Sequence, residues 1–195
     1  MGYTDLFVYR ADETVGQKLS HALLSEALGL DAGELQLGPH GKPYIKGGPE
    51  FSISHTGRIW MCAVSDEPVG LDVQEKRTAK YESIAKRFFT GGEAKYIEAA
   101  GEKAQEAFYR LWARKEAYVK YTGLGFSGSA FQEFSVLDSR GEPAEIININ
   151  GDGIRFTECA APGNDNICVI CRKEDNNDQI RIFVREQIGH FTYKG

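Results

Sequence analysis

The chain has 195 residues, with 23 Lys and Arg against 28 Asp and Glu, a formal net charge of −5, 42% hydrophobic and 26% charged residues. These are globular averages, which exclude disordered, collagen-like and coiled-coil chains, and a chain this long buries roughly 70% of its unfolded surface without staples. The mildly acidic balance argues against nucleic acid as the main partner, because such binders carry a net basic face.

In chain order, the opening stretch MGYTDLFVYRADE reaches an acidic pair before any long apolar run, so no signal peptide is expected. No later stretch approaches the ~20 apolar residues of a membrane span, and no membrane partner is expected. Leu6 to Tyr9 read as a short strand. Thr14 reads as the N-cap of a helix running to about Leu28 and closed by Gly29. The turn-rich Gly38-Pro39-His40-Gly41-Lys42-Pro43 follows. Phe51 to Ser54, Ile59 to Ser65 and Val69 to Gln74 then form a strand meander broken at Thr56-Gly57 and Glu67-Pro68. Helices come next: one closed by Ile84 to Phe89, one capped by Thr90, and a long one over about Lys103 to Tyr121, ended by Gly123, Gly125 and Gly128. Thr90-Gly91-Gly92 reads as a mobile glycine-rich link. Phe131 to Leu137, Ile154 to Cys159, Ile167 to Arg172 and Ile180 to Val184 read as an antiparallel sheet, with a turn at Asp175 to Asp178 joining the last two. Helices grouped with antiparallel strands mean an α+β fold. It is read as two similar halves, residues 1–75 and 76–195, in one compact unit.

Three motifs carry chemistry. In Gly70-Leu71-Asp72-Val73-Gln74 strand alternation puts Asp72 and Gln74 on one face and Leu71 and Val73 on the other. A carboxylate and an amide oxygen are hard ligands suited to Mg²⁺, although for this motif alone a solvated edge aspartate is the commoner outcome. In the long helix Phe108, Leu111, Trp112, Lys115 and Val119 fall on one helical stripe with Glu116 and Lys120 on its flank. Glu116 and Lys120 can reach into a cleft together, or form a surface pair worth only ~0.3–0.5 kcal/mol. In Phe51-Ser52-Ile53-Ser54-His55-Thr56-Gly57, His55 sits where a strand breaks into a turn. As a cation it can bind phosphate, with Ser54 adding a hydroxyl; an ordinary loop histidine is the equal alternative. Gly41-Lys42-Pro43 adds a cation on a stiffened turn.

Taken in order, GKP, SHTG, GLDVQ, FFTGGE and WARKEAYVK resemble the motif set of the 4′-phosphopantetheinyl transferases, closest to the single-chain surfactin-type branch. That branch pairs G-(hydrophobic)-D with W-x-x-K-E-(A/S)-x-x-K, here Gly70-Leu71-Asp72 and Trp112 to Lys120. The resemblance implies two similar α+β halves, related by a pseudo-twofold, with the active site between them. The reaction it implies is Mg²⁺-dependent transfer of the phosphopantetheine arm of coenzyme A to a serine of an apo acyl or peptidyl carrier protein, in the cytoplasm. It further implies Asp72 and Glu116 as metal ligands, with Gln74 where the family often has a third acid. Lys120 would contact the pyrophosphate, and Lys42, Pro43, Ser54 and His55 would lie against the coenzyme, Lys42 and His55 at its 3′-phosphate. Glu93 matches a family acid near the metal. Glu116, Glu93 or a metal-bound water would take the serine proton. The N-terminal region is shorter than the family's usual single-chain form. With Gln74, that leaves room for a relative that binds coenzyme A or a carrier protein without transfer. Two halves in one chain complete their own site, so a monomer suffices.

Residues 75–87 carry five cations, Lys76, Arg77, Lys80, Lys86 and Arg87, against Glu75 and Glu82. They read equally as a docking face for an acidic carrier protein and as a solvated helix face. Four cysteines, Cys62, Cys159, Cys168 and Cys171, are too few for a disulfide scaffold and fit a reducing cytoplasm. Cys168 and Cys171 are three apart in a strand, hence on opposite sides, and read as core rather than as a zinc or redox pair. His21, His40 and His190 receive no role.

Overall fold

The structure, a computed structural model, describes residues 3–29, 35–77, 80–125, 130–163, 165–174 and 179–186. The elements run β1 (Tyr3–Arg10), α1 (Gln17–Leu28), β2 (Leu35–Leu37), β3 (Pro43–Ile45), β4 (Glu50–Thr56), β5 (Ile59–Ser65) and β6 (Val69–Glu75). They continue with α2 (Tyr81–Phe88), α3 (Gly91–Ala99), α4 (Ala104–Thr122), β7 (Ile146–Ile149), β8 (Asp152–Cys159), β9 (Asn166–Lys173) and β10 (Gln179–Glu186). One sheet has the order β10-β1-β5-β4, another β6-β9-β8-β7, and β2 and β3 form a small ribbon. The fold is α+β, as the grouping of the elements suggested. Among the described residues no helix is long and apolar enough to cross a membrane.

The pairing departs from a simple meander at two strands. β6 leaves its sequence neighbour β5 and runs antiparallel to β9, placing Asp72 opposite Val169. β10, expected beside β9, lies parallel to β1 in the other sheet. Period-two alternation fixes which face of a strand is buried but not which strand lies beside it. The β1–β10 ladder is held by side chains: Phe7 stacks on Phe183 at 5.3 Å and Arg181 forks onto both carboxylate oxygens of Asp5. The expected turn at Asp175 to Asp178 and the glycine at Gly128 lie outside the described residues.

Leu6, Val8, Met61 and Ala63 of one sheet pack on Val69, Leu71, Val73, Cys168 and Ile170 of the other, so the two sheets meet along a dry seam. On the far side of the second sheet α4 lies across β6 and β9, with Cys171 in its cluster. Cys168 and Cys171 therefore face opposite sides, as alternation requires.

Local chemistry explains the remaining differences. α1 starts after Gly16 rather than from a Thr14 cap and ends on Gly29, whose φ of 64° is the left-handed closure a glycine supplies. Phe131, Phe134, Val136 and Leu137 are buried, but residues 131–137 form no strand. Phe131 and Phe134 give their carbonyls to Lys115 Nζ at 2.6 Å each, and Val136 N–H donates to Glu93 Oε1 at 2.9 Å. Side chains satisfy this backbone where a neighbouring strand was expected.

Candidate active site

The site forms where β4, the edge of one sheet, meets β6, the edge of the other. These edges are clipped together by serines. Ser52 Oγ accepts the Leu71 N–H at 3.0 Å and Ser54 Oγ accepts the Val73 N–H at 3.1 Å. Residues 52 and 54 share a face, so two hydroxyls two residues apart match the alternate amides of β6. From the other side α4 comes down on Gly70. A Cβ there would stand 1.9 Å from the Ala117 carbonyl oxygen and 2.5 Å from the Tyr121 nitrogen. The first glycine of the GLD motif is thus required by the helix backbone, and its absence of a side chain lets Glu116 and Lys120 reach the strand carrying Asp72.

Asp72 is 2% exposed and fully engaged. Its Oδ1 accepts from Lys120 Nζ at 2.7 Å and from Ser54 Oγ at 2.9 Å, and its Oδ2 from Gln74 Nε2 at 2.7 Å. Lys120 also reaches Ser54 Oγ at 3.1 Å. The lysine therefore pairs across the seam with Asp72 rather than with its helical neighbour Glu116. Glu116 has no hydrogen-bond or ion-pair partner among the described residues. Burial, then the nearby Asp72 charge, push its carboxyl up to about 7, against a smaller opposing pull from Lys120.

Two clefts meet at Ile53, Glu116 and Lys120. One, about 240 Å³, is walled by His40, Lys42, Pro43, Phe51 and Val119. The other, about 500 Å³, is walled by Ser54, His55, Asp72, Gln74 and, from α1, Gln17 and His21. Lys42 donates to the Val69 carbonyl at 3.4 Å, and burial lowers its pKa. His55 lies on β4 itself, one residue before its end. Burial and then the Lys120 charge hold its pKa below the usual histidine value, so the free protein carries a neutral ring rather than the expected cation.

The fold thus brings Ser54, Asp72, Gln74, Glu116 and Lys120 to one point, with Lys42 and Pro43 on one arm and His55 on the other. It does not bring Glu93. That carboxylate is fully buried at the start of α3, where Oε1 takes the Val136 N–H and Oε2 takes Thr90 N–H at 2.9 Å and Lys115 Nζ at 3.0 Å. Thr90 Oγ1 accepts the Glu93 N–H in return, so Thr90-Gly91-Gly92 is a reciprocal helix cap and not a mobile link. With no lone pair turned to a cleft, Glu93 is excluded as the base. His21 and His40 received no role from sequence, yet both line a cleft. Gln17 and His21, four apart on α1, are neighbours on one polar helical face, which was the available signal.

Among the described residues no group of three or more His, Cys, Asp or Glu is placed to hold a metal. The site offers two carboxylates and one amide, a set that fits Mg²⁺ when water and substrate phosphate complete the shell. The unpartnered Glu116 carboxyl is the observation that fits: a buried acid beside a second acid lacks the cation that would let it ionise.

Comparison with known proteins agrees. The family model described as the 4′-phosphopantetheinyl transferase superfamily matches residues 68–182. A 4′-phosphopantetheinyl transferase of Bacillus subtilis is 37% identical over 118 residues, covering 58% of this chain and 52% of the relative. The 4′-phosphopantetheinyl transferase HetI of Nostoc sp. is 31% identical over 148 residues, 71% of this chain and 62% of its own. The 4′-phosphopantetheinyl transferase AcpT of Salmonella typhi is 40% identical over 142 residues, 70% of this chain and 71% of its own. The chain spans about half the length of the Bacillus relative. The matched region holds β6, α4 and the Asp72, Glu116 and Lys120 meeting point, and on these grounds the chain belongs to the 4′-phosphopantetheinyl transferase superfamily.

Proposed function

We propose that the chain transfers the 4′-phosphopantetheine of coenzyme A to a serine of an apo acyl or peptidyl carrier protein in the cytoplasm, releasing 3′,5′-phosphoadenosine. The observation that carries this is the meeting of Asp72, Glu116 and Lys120 at the junction of two clefts. The coenzyme would lie across both arms, with its pyrophosphate at their junction. Asp72, Glu116 and the amide oxygen of Gln74 would hold Mg²⁺, which supplies charge neutralisation at the pyrophosphate. The nucleophile belongs to the partner, so this chain needs none of its own. Serine oxygen attacks the phosphorus on the pantetheine side, and the bond from that phosphorus to the phosphoadenosine oxygen breaks. Lys120 turns from Asp72 toward the charge that accumulates on the leaving oxygen. Glu116, ionised once a cation lies beside it, is the group of this chain suited to take the serine proton. Lys42 and Pro43 in one cleft and Ser54 and His55 in the other face the coenzyme, and a phosphate beside His55 would restore its charge.

The basic run near α2 is the proposed docking face for an acidic carrier protein. Two of its cations are partly neutralised at home, Lys76 by Asp165 at 3.7 Å and Arg77 by Glu75 at 2.6 Å, which leaves Lys80, Lys86 and Arg87 to steer the encounter. A single chain is proposed to suffice.

Intact-mass analysis of apo carrier proteins incubated with this protein, coenzyme A and Mg²⁺ tests the reading. A phosphopantetheine gain is expected, lost without metal and in Asp72→Ala, Glu116→Ala and Lys120→Ala. A folded protein that binds coenzyme A yet modifies no carrier would favour the second reading, binding without transfer. The saturation of Asp72 by Lys120, Ser54 and Gln74 is the feature on its side. No coenzyme binding would overturn both.

A further inference from the structure

Cys159 ends β8 and lies directly opposite Cys168 on β9. Facing residues on antiparallel strands have Cα atoms about 4.5–5.5 Å apart, inside the roughly 4.4–6.8 Å window of a disulfide. Both side chains belong to the seam between the sheets, Cys168 fully buried within it and Cys159 half-buried at its rim. All four cysteines are free thiols. The other two are fully buried, Cys62 beneath α1 and Cys171 beneath α4. We propose that Cys159 and Cys168 are a reversible redox pair, closed to a disulfide by a small-molecule disulfide such as oxidised glutathione.

The two positions divide the work. The rim thiol is the one a solvent oxidant can reach, and the buried thiol is the one that resolves. Hydrogen bonding from Cys168 and then the Arg172 charge lower the Cys159 pKa, opposed by partial burial, while the same hydrogen bond and burial raise that of Cys168. Cys159 thiolate attacks one sulfur of oxidised glutathione, forming a mixed disulfide and releasing one glutathione thiolate. Cys168, its proton passing to that thiolate, attacks the Cys159 sulfur and expels the second glutathione, which takes a proton from water. Two cysteine thiols thus lose two electrons and two protons, and one glutathione disulfide becomes two thiols. On its other side Cys168 lies opposite Val73, the residue between Asp72 and Gln74, so the bond would form one strand away from the candidate active site.

The test equilibrates the whole folded chain in glutathione buffers from reducing to oxidising, quenches with acid, then alkylates in denaturant and maps the peptides. Reduced protein should alkylate at four cysteines and oxidised protein at two, with a Cys159–Cys168 linked peptide. Dithiothreitol should restore four, circular dichroism should stay that of the reduced fold, and neither Cys159→Ser nor Cys168→Ser should form the link. Four alkylated sites at every potential, a persistent glutathione adduct on Cys159 without the link, or a link that forms only in denaturant would each overturn the proposal. The readout is independent of transferase activity, so its failure would leave the functional reading untouched.

Discussion

α4 carries two lysines five residues apart, and each pairs with an acid from another element, yet the two pairs have opposite characters. Lys115 and Glu93 are both wholly shielded from solvent. The ammonium is spent on Glu93 and on the carbonyls of Phe131 and Phe134, beneath the Phe134 ring at 4.3 Å. The carboxylate is spent on Thr90, Val136 and Lys115. Lys120 is 29% exposed and shares Asp72 with Ser54 and Gln74, while Glu116 beside it is left without a partner. A buried pair with every valence met holds one arrangement; a cleft pair beside an unmatched acid can be rearranged by a ligand. The first is architecture and the second is chemistry.

The strongest way to break that contrast is to remove each lysine in turn. Lys115→Met strands a buried carboxylate and two carbonyls and should cost about 3–5 kcal/mol. Lys120→Met leaves Asp72 to Ser54 and Gln74 at a rim that water partly reaches, and should cost less, about 1–3 kcal/mol, while abolishing transfer. Urea unfolding of both variants checks this; equal costs would mean the two pairs are alike. Gly70→Ala comes next, because its new methyl meets the helix backbone rather than a movable side chain. Displacing α4 should cost about 3 kcal/mol, and unlike Lys115→Met it should also separate Glu116 and Lys120 from Asp72. Its transfer activity per folded molecule should therefore fall where that of Lys115→Met does not.

The sequence pointed to the residues of the cleft pair but not to their pairing, and it misread Glu93. Strand alternation and helical spacing put Asp72, Glu116 and Lys120 on definable faces, and the resemblance of the ordered motifs to a known family singled them out. Glu93 was set beside them by its motif, but a carboxylate three residues after a threonine at a helix start is equally a capping-box signature, and here the capping role consumed it. The same ion pair hid the nature of residues 131–137, whose apolar spacing imitates a strand while the backbone binds side chains. Strand partnership was out of reach for a different reason. Nothing in the alternation of β6 or β10 says which edge it will join, so their places in the two sheets appear only in three dimensions.

Glu116→Gln sharpens the cleft side by pH. The folded protein holds the Glu116 carboxyl at about 7 against 4.5 for an unperturbed one. Between those values the native state binds the proton more tightly than the unfolded chain, so this residue's contribution to stability falls as pH rises through that window and is level above it. Glutamine carries no such slope. In chelator at pH 8 the variant should be more stable than the wild type by about 2 kcal/mol, discounted for partial exposure, and nearly equal to it at pH 5. Denaturant midpoints at the two pH values read the difference. Mg²⁺ should shrink it at pH 8 by stabilising only the wild type, and its affinity for the wild type should climb through neutrality, since the ligand must lose its proton.

The smallest effect tests the closed side alone. Thr90→Ala deletes the hydroxyl that caps α3 and one of the donors to Glu93, which should cost about 1 kcal/mol. The Thr90 N–H, the Val136 N–H and Lys115 still hold the carboxylate, so Glu93 should stay in place. Turnover per folded molecule should then be unchanged, because nothing on that side of α4 opens onto either cleft. A fall in turnover at unchanged coenzyme affinity would mean the start of α3 helps set the angle at which α4 presents Glu116, and the division between a structural and a chemical face of this helix would fail.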